Sequence, residues 1–235
     1  GDFFYDNIRI NTNVLEAARI CRLSKVVSFM SSCVFPTDAN YPLTTDQLHS
    51  GEPHPTNYAY AYAKRMLEVQ SRAYRDQHGC NFVTVIPCNI YGPNDNFNLE
   101  SSHVIPALIH KCYLAKQNNT NFEVWGTGRA YREFIYSGDV GYITQWALEN
   151  YDEHEPLIIS PDQEISIATL AQEIAWRMGF EGNIVFNQER DGILKKPSDN
   201  SKLKSLLPNY AFVPIEVGLA KTIEWFIENY EKARK

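Results

Sequence analysis

The spacing of apolar residues predicts that the chain begins with a helix and continues into a buried strand. Apolar residues recur at helical spacing over 7–22, which predicts a helix there. The next segment, 25–35, is a short apolar run rich in β-branched residues that ends before Pro36, as is typical of a buried strand. Residues 36–56 are rich in proline and polar side chains, which predicts an irregular loop.

Helical apolar spacing and short apolar runs typical of strands alternate along the rest of the chain, and this alternation indicates its fold class. Strands that are apolar throughout and separated by helices favour a parallel sheet covered by helices on both faces. We therefore predict an α/β fold, with a doubly wound parallel sheet over about 1–120 and a smaller mixed α/β lobe over 121–235. The predicted helices cover 58–76, 103–116, 138–150, 167–178 and 215–231, and the predicted strands cover 82–86, 122–125, 157–160 and 184–186.

The composition of the chain argues against several classes of protein. Of its 235 residues 44% are hydrophobic, enough for packed domains, and the net charge of −6 disfavours binding to nucleic acid. No apolar run approaches the roughly 20 residues that a membrane helix needs. The five cysteines include no Cys-x-x-Cys pair, which argues against a disulfide framework or a metal site and fits a reducing, cytoplasmic compartment.

Polar side chains gather where two predicted strands end, and ligands of open α/β sheets bind at that edge. The first strand ends at Ser31-Ser32-Cys33, and the second continues into Pro87-Cys88-Asn89-Ile90. The helix after the first strand carries Tyr60 and Lys64 four residues apart, so both side chains share one helix face. Because an ammonium group one turn away favours the phenolate, a pair with this spacing suits proton transfer.

These residues lie within or near six longer sequence motifs. They are SSCVFP over 31–36, NYAYAYAKRM over 57–66, NIYGPNDNFN over 89–98, SHVIPALIHK over 102–111, VWGTGRAYREFIYS over 124–137 and NSKL over 200–203. Together they resemble the GDP-L-fucose synthases, a family of extended short-chain dehydrogenase/reductases, along essentially the whole chain. The resemblance implies a Rossmann-type fold, NADPH as cofactor, a homodimer, and 3,5-epimerisation and 4-reduction of a GDP-sugar, GDP-4-keto-6-deoxy-D-mannose.

The resemblance also implies roles for individual residues. Tyr60 would protonate O4 of the sugar during reduction, Ser31 would hydrogen-bond the same oxygen, and Lys64 would bind the nicotinamide ribose. Cys33 and His103 would be the base and the acid of the epimerisation, in which the C4 ketone acidifies the protons at C3 and C5. The implied cofactor contacts are Lys64, Pro87, Cys88, Asn89, Ile90 and His103, and the implied contacts with the GDP-sugar are Lys111, Trp125, Arg132 and Asp191.

One feature of that family, a glycine-rich turn after its first strand, has no counterpart in the sequence. Gly126-Thr127-Gly128 follows a later predicted strand, lacks a third glycine and is predicted to be a simple turn. The chain begins at Gly1 rather than Met, and a helical pattern starts almost at once. We therefore expect the C-terminal part of a longer protein, with the first strands of the sheet upstream and no activity in residues 1–235 alone.

Two other interpretations stay open. Nucleotide-sugar 4-epimerases and dehydratases use the same Tyr–Lys pair, although a simple 4-epimerase needs no thiol such as that of Cys33. A catalytically silent chain, acting as a binding or regulatory subunit, is compatible with the lack of the glycine-rich turn.

Two further expectations concern the surface of the molecule. In the predicted homodimer, the helices at 7–22 and 58–76 pair across a two-fold axis. Their candidate contact residues are Leu15, Ile20, Met66 and Tyr74. The remaining histidines are expected at the surface or in loops, at positions 49, 54, 78, 110 and 154.

Overall fold

The computed structural model describes residues 1–188 and 193–235, and the chain divides into two compact units. Unit 1 comprises Gly1–Cys88, Val140–Ser160 and Pro197–Tyr210, and unit 2 comprises Asn89–Asp139, Pro161–Lys196 and Ala211–Lys235. Both units therefore draw on residues before and after position 120, the boundary predicted from the sequence.

The described part of the chain forms seven α-helices and eight strands. The helices are α1 (Asp2–Ile20), α2 (Tyr58–His78), α3 (Val104–Asn118), α4 (Ser137–Asn150), α5 (Ile167–Arg177), α6 (Ser201–Leu206) and α7 (Ile215–Glu228). The strands are β1 (Val26–Phe29), β2 (Phe82–Pro87), β3 (Asn89–Tyr91), β4 (Phe122–Val124), β5 (Tyr131–Tyr136), β6 (Leu157–Ile159), β7 (Glu164–Ser166) and β8 (Ile184–Phe186). None of these helices combines the length and the apolar character needed to cross a membrane.

Unit 1 contains a parallel sheet in the order β1-β2-β6. Val26 lies opposite Phe82, and Val85 lies opposite Leu157. Every residue of β2 is buried, as expected for a central strand covered on both faces. Helices α1 and α2 pack together, and Leu15 joins the core that lies against the sheet. These features confirm the predicted α/β class.

Unit 2 is a mixed assembly of short strands and helices. Strand β3 pairs with β5 in parallel, β5 pairs with β7 antiparallel, and β4 pairs with β8 in parallel. Its core is rich in aromatic and branched side chains contributed largely by α3, α5 and α7, including Ile109, Phe122, Ile174, Leu219 and Phe226.

The predicted strand over 25–35 is wrong beyond Phe29. A 3₁₀ turn over Ser32–Val34 follows instead, and the Ser31 hydroxyl oxygen accepts a hydrogen bond from the Cys33 N–H at 3.4 Å. A serine side chain that bonds backbone two residues ahead favours a turn over an extended strand. The apolar run therefore contains both a strand and the turn that follows it.

Two other expectations need correction. His110 is buried rather than exposed, with its Nδ1 2.7 Å from the carbonyl oxygen of Phe97 and its ring against Phe226. Leu15 is fully buried in the core of unit 1, so it is unavailable for contact with a second copy. Helical spacing identifies the apolar face of α1 but does not distinguish core residues from those on the surface.

Candidate active site

The turn after β1 and the helix α2 form the first group of candidate residues, all in unit 1. The turn carries Ser31 and Cys33, and α2 carries Tyr60 and Lys64. The Lys64 ammonium group donates to the carbonyl oxygen of Phe29, the last residue of β1, at 3.1 Å. This bond fixes the Tyr–Lys face of α2 next to the end of the strand.

Tyr60 and Lys64 are both half-buried on the same helix face. The Lys64 Nζ lies 5.8 Å from the centroid of the Tyr60 ring. Among the residues that the structure describes, none forms a hydrogen bond with the Tyr60 hydroxyl group, and Lys64 retains two further N–H donors. A partly buried hydroxyl without a partner and a cation beside it can bind a ligand that carries hydroxyl or carbonyl oxygens.

The electrostatics of this pair differ from the expectation that Lys64 promotes a phenolate. Burial raises the pKa of Tyr60, and the negative charge of a Cys33 thiolate raises it further. Burial lowers the pKa of Lys64, while the same thiolate acts in the opposite direction. Tyr60 is therefore protonated at neutral pH, which suits a residue that donates a proton rather than one that removes it.

The exit of β2 holds the other residues implied in cofactor binding. The Cys88 N–H donates to the carbonyl oxygen of Ile159 at 3.0 Å, so this group already belongs to the sheet of unit 1. Asn89 is exposed, and its side-chain amide donates to the carbonyl oxygen of Glu133 at 2.8 Å. Pro87 is buried and Ile90 is half-buried.

The second group of candidate residues lies in unit 2, where Lys111, Trp125 and Arg132 line one cavity of about 190 Å³. The Lys111 Nζ sits 3.8 Å from the centroid of the Trp125 ring, a cation–π contact. Burial lowers the pKa of Lys111, and the charge of Glu123 opposes that change. Arg132 Nη1 donates to the carbonyl oxygens of Tyr131 and Ile193 at 2.6 and 2.7 Å, which fixes one edge of its guanidinium group.

The remaining wall of this cavity is apolar and includes a tight turn. Gly126 and Gly128 both have positive φ, at 81° and 77°, which confirms the turn predicted there. A Cβ at Gly128 would lie 2.6 Å from the Phe186 ring and 2.9 Å from the Ala168 side chain. The cavity is smaller than the roughly 300–1,000 Å³ of a site for a whole drug-sized ligand. Its size and its cations suit one part of a nucleotide.

His103 and Asp191 are the other two candidates. His103 is exposed and precedes α3, where its carbonyl oxygen accepts the Ala107 N–H at 3.0 Å. Asp95 lies near His103. Burial raises the pKa of Asp95, while a hydrogen bond from the Asn96 N–H and the charge of His103 lower it. Asp191 lies outside the described residues.

A larger groove, of about 640 Å³, contains none of these candidate residues. It runs along α5 and α7 and is lined by Trp176, Ile227, Glu224 and Glu228 among others. Its carboxylates would repel a diphosphate. No group of three or more His, Cys, Asp or Glu side chains in 1–188 and 193–235 is arranged to hold a metal ion.

Three residues contribute to these groups in ways that the sequence does not predict, although Gly128 is predicted as part of a turn. Arg65 binds the turn that carries Cys33, Asp95 lies near His103, and Gly128 forms part of the cavity wall. Arg65 follows Lys64 directly, and a charged residue in an apolar stretch of helix is the signal that could have pointed to it.

Comparison with known proteins identifies the family. The sequence pattern of the NAD dependent epimerase/dehydratase family matches residues 1–160. The chain belongs to this family. The GDP-L-fucose synthase of Dictyostelium discoideum is 48% identical over 100% of the chain and 74% of its own length. A probable GDP-L-fucose synthase of Drosophila melanogaster is 43% identical over 100% of the chain and 76% of its length.

Solved structures of family members have the same fold. The chain is similar to a GDP-L-fucose synthetase from Naegleria fowleri bound to NADP, with a TM-score of 0.96 and 43% identity. The match covers 98% of this chain and 74% of that one. It confirms the prediction of a Rossmann-like α/β fold.

Proposed function

We propose that the protein is an NADP-dependent epimerase and reductase that converts GDP-4-keto-6-deoxy-D-mannose to GDP-L-fucose. The observation that carries the proposal is the arrangement in unit 1 of an unpartnered Tyr60 hydroxyl, a half-buried Lys64 and a nearby Cys33. Relatives named GDP-L-fucose synthase and the NADP complex of a related synthetase support the substrate and the cofactor.

The reduction uses Tyr60, Ser31 and Lys64. NADPH, when bound, supplies the hydride that adds to C4 of the sugar. Tyr60 donates its proton to O4 as the C=O double bond becomes a C–O single bond, and its raised pKa keeps that proton available at neutral pH. The Ser31 hydroxyl oxygen accepts the Cys33 N–H, and its own O–H, which donates to no described residue, donates to the same O4 oxygen of the sugar. The free donors of Lys64 hold the nicotinamide ribose.

The epimerisation uses Cys33 and His103. The Cys33 thiolate removes the proton from C3, and the electrons of the C–H bond pass into the C4 ketone to form an enolate. His103 then returns a proton to the opposite face of C3, and the same exchange inverts C5. Cys33 then loses its proton to solvent and His103 takes one up, which restores both groups for C5; because the sugar is neither oxidised nor reduced in these steps, this half of the reaction consumes no NADPH.

The cavity of unit 2 is proposed to hold the nucleotide. Trp125 offers an aromatic face to the base or ribose, and the two cations, Lys111 and Arg132, attract the diphosphate. Asp191 is proposed to bind the guanine or the ribose. The proposed cofactor contacts at Pro87, Cys88, Asn89, Ile90 and His103 all lie within 1–120, where the sequence predicts the cofactor-binding domain, whereas Lys111, also within 1–120, is proposed to bind the substrate.

We also propose that the protein is a cytoplasmic homodimer. Three apolar side chains on one face of α1, those of Phe3, Ile10 and Val14, are exposed to 75%, 61% and 54%. Such a face favours contact with a second copy. Light scattering at micromolar concentration is expected to give the mass of a dimer, and a monomer would contradict this part. The odd number of cysteines and the lack of a Cys-x-x-Cys pair support a reducing compartment.

The experiment that tests the proposal supplies the purified full-length protein with NADPH and GDP-4-keto-6-deoxy-D-mannose, and identifies the product by NMR. We expect NADPH oxidation and GDP-L-fucose. A product reduced at C4 without inversion at C3 and C5 would indicate a simple reductase. No net NADPH oxidation would favour a 4-epimerase or dehydratase if the sugar changes, and a silent binding chain if it does not.

A further inference from the structure

Arg65 is a buried cation held by backbone carbonyl groups in unit 1. Only 4% of its surface is exposed. Its Nε donates to the carbonyl oxygen of Val34 at 3.0 Å, Nη2 donates to the same oxygen, and Nη1 donates to that of Gly51 at 2.9 Å. Val34 ends the turn that carries Cys33, so Arg65 ties this turn to the helix that carries Tyr60 and Lys64.

The charge of Arg65 has no carboxylate partner in the described part of the chain. No Asp or Glu oxygen there lies within 4.0 Å of its guanidinium group, and its one close ring contact is Tyr62, at 5.2 Å from the centroid. Burying a cation without a counter-charge is costly, and carbonyl oxygens offset only part of that cost. A nearby group that becomes negative would therefore be stabilised.

Cys33 is a nearby group that becomes negative, because its thiol can ionise to a thiolate. Burial lowers the pKa of Arg65, while the charges of Tyr62 and of a Cys33 thiolate act in the opposite direction. Three ionisable groups of α2 interact electrostatically with the Cys33 thiolate, and they are Tyr60, Lys64 and Arg65. Attraction between two charges is mutual, so the cations that are favoured by the thiolate also favour it.

We propose that Arg65 is a positioning residue for the epimerisation: it holds the Cys33 turn in place through Val34 and supplies a fixed positive charge that stabilises the Cys33 thiolate. The proposal rests on the proposed function, in which Cys33 is the base. It assigns to Arg65 a role distinct from that of Lys64, whose ammonium group is needed for the cofactor.

The two parts of this role can be separated with Arg65→Lys and Arg65→Gln. Both replacements lose the two hydrogen bonds that the Arg65 guanidinium group donates to the Val34 carbonyl oxygen. Each keeps one terminal nitrogen that can donate to this oxygen. Only lysine keeps the positive charge. A purely structural role would make the two variants alike, whereas a role of the charge in thiolate formation makes them differ.

The measurement is the rate at which iodoacetamide alkylates Cys33, followed by peptide mass spectrometry between pH 5 and 10. Exposed Cys21 of the same protein is the internal reference. We expect Cys33 to react at lower pH than Cys21 in the unaltered protein. At pH 7 we expect Arg65→Gln to slow Cys33 alkylation about tenfold or more, and Arg65→Lys to stay within about threefold of the unaltered protein.

Two results would overturn the proposal. One is an equal pH dependence of Cys33 and Cys21 in the unaltered protein, a comparison that needs no variant to fold. The other is an equal effect of Arg65→Gln and Arg65→Lys on Cys33 alkylation. Circular dichroism and the melting temperature check that both variants are folded.

A second readout separates this proposal from the proposed function. Exchange of solvent deuterium into C3 and C5 is expected to fall with Arg65→Gln and to recover as the pH is raised, while reduction of an already epimerised ketone changes little. If Cys33→Ser leaves the exchange intact, Cys33 is not the base and the proposed function fails at that step. The alkylation rates still decide whether Arg65 stabilises the thiolate.

Discussion

Units 1 and 2 hold their candidate residues in different ways. In unit 1, Lys64 and Arg65 are bound to carbonyl groups at the end of β1 and in the following turn, and Tyr60 is half-buried with a raised pKa. In unit 2, Trp125 is 61% exposed and His103 is exposed at the start of a helix. Both units therefore hold ionisable groups partly out of water, and they differ in that unit 2 places its half-buried cations, Lys111 and Arg132, beside an aromatic ring that is open to solvent.

This difference matches two kinds of chemistry. Proton transfer needs groups whose pKa is set by partial burial and by fixed neighbouring charges. Binding a soluble nucleotide needs surfaces that remain open, with cations for the diphosphate and a ring for the base or ribose. We infer that unit 1 contributes most to the chemical step and that the cavity of unit 2 contributes most to substrate binding.

The largest expected effect is that of Tyr60→Phe, which removes the proton donor of unit 1. We expect the rate of C4 reduction to fall by about 10²–10⁴-fold, while the dissociation constant of the GDP-sugar stays the same. Stopped-flow measurement of NADPH oxidation gives the first quantity and calorimetry the second. Tyr58→Phe is the matched control, because Tyr58 is exposed on the same helix. A Tyr60→Phe enzyme that keeps most of its rate would exclude Tyr60 as the acid.

Cys33→Ser is expected to separate the two reactions carried out with unit 1. A serine hydroxyl group is almost never ionised at neutral pH, whereas a cysteine thiol can form a thiolate, so deuterium exchange at C3 and C5 should fall by about 10²-fold or more. Hydride transfer to an already epimerised ketone should change much less. Cys21→Ser is the control, since Cys21 is exposed at the end of α1. Exchange at the unaltered rate would make Cys33 a packing residue.

Gly128→Ala is expected to act on unit 2 and on binding alone. Its Cβ would overlap the Phe186 ring, and alanine is strained at a φ of 77°. Strain of this kind costs on the order of 1–3 kcal/mol, so we expect the KM for the GDP-sugar to rise about tenfold with little change in kcat. Gly141→Ala, where a Cβ meets no atom within 4 Å, is the control. A fall in kcat with an unchanged KM would place the effect elsewhere.

The smallest expected effect concerns the packing of α1 on α2 within unit 1. Hydrogen bonds from Arg19 and Tyr74 lower the pKa of Glu16 to about 2. A lowered carboxyl pKa stabilises the fold above the unfolded value, near 4.5, and this stabilisation is lost as the pH falls toward 2. Because 39% of the Glu16 side chain is exposed and solvent screens its charge, Glu16→Gln should lower the melting temperature at pH 7 by roughly 2 °C or less. The difference should shrink as the pH falls from about 4.5 to 2 and disappear only below the lowered pKa, and a difference that does not shrink over this range would contradict the assignment.

The sequence predicted well the elements whose apolar pattern is unbroken. Strand β2 and helix α2 lie within one or two residues of their predicted bounds, because the strand is buried throughout and α2 ends at Gly79, whose φ of 67° favours glycine. Strands β5 and β7 were not predicted. Both carry charged residues among their apolar ones, and their pairing with each other depends on contacts far apart in sequence.

The candidate residues show the same limit of sequence reasoning. The spacing of Tyr60 and Lys64 predicted their shared helix face, and the structure agrees. It did not predict the direction of the Tyr60 pKa, because that depends on burial and on the charge of a Cys33 thiolate. The role of Arg65 likewise depends on a turn more than thirty residues away in the chain.

The most direct test of the division between the units compares Lys64→Met with Lys111→Met, one lysine from each. The measured quantities are the dissociation constant of GDP and the rate of hydride transfer at saturating GDP-sugar. We predict that Lys64→Met lowers the rate by about 10²-fold or more and leaves GDP binding unchanged, whereas Lys111→Met weakens GDP binding about tenfold and leaves the rate unchanged. Weaker GDP binding in Lys64→Met, or a slower saturated rate in Lys111→Met, would contradict the account.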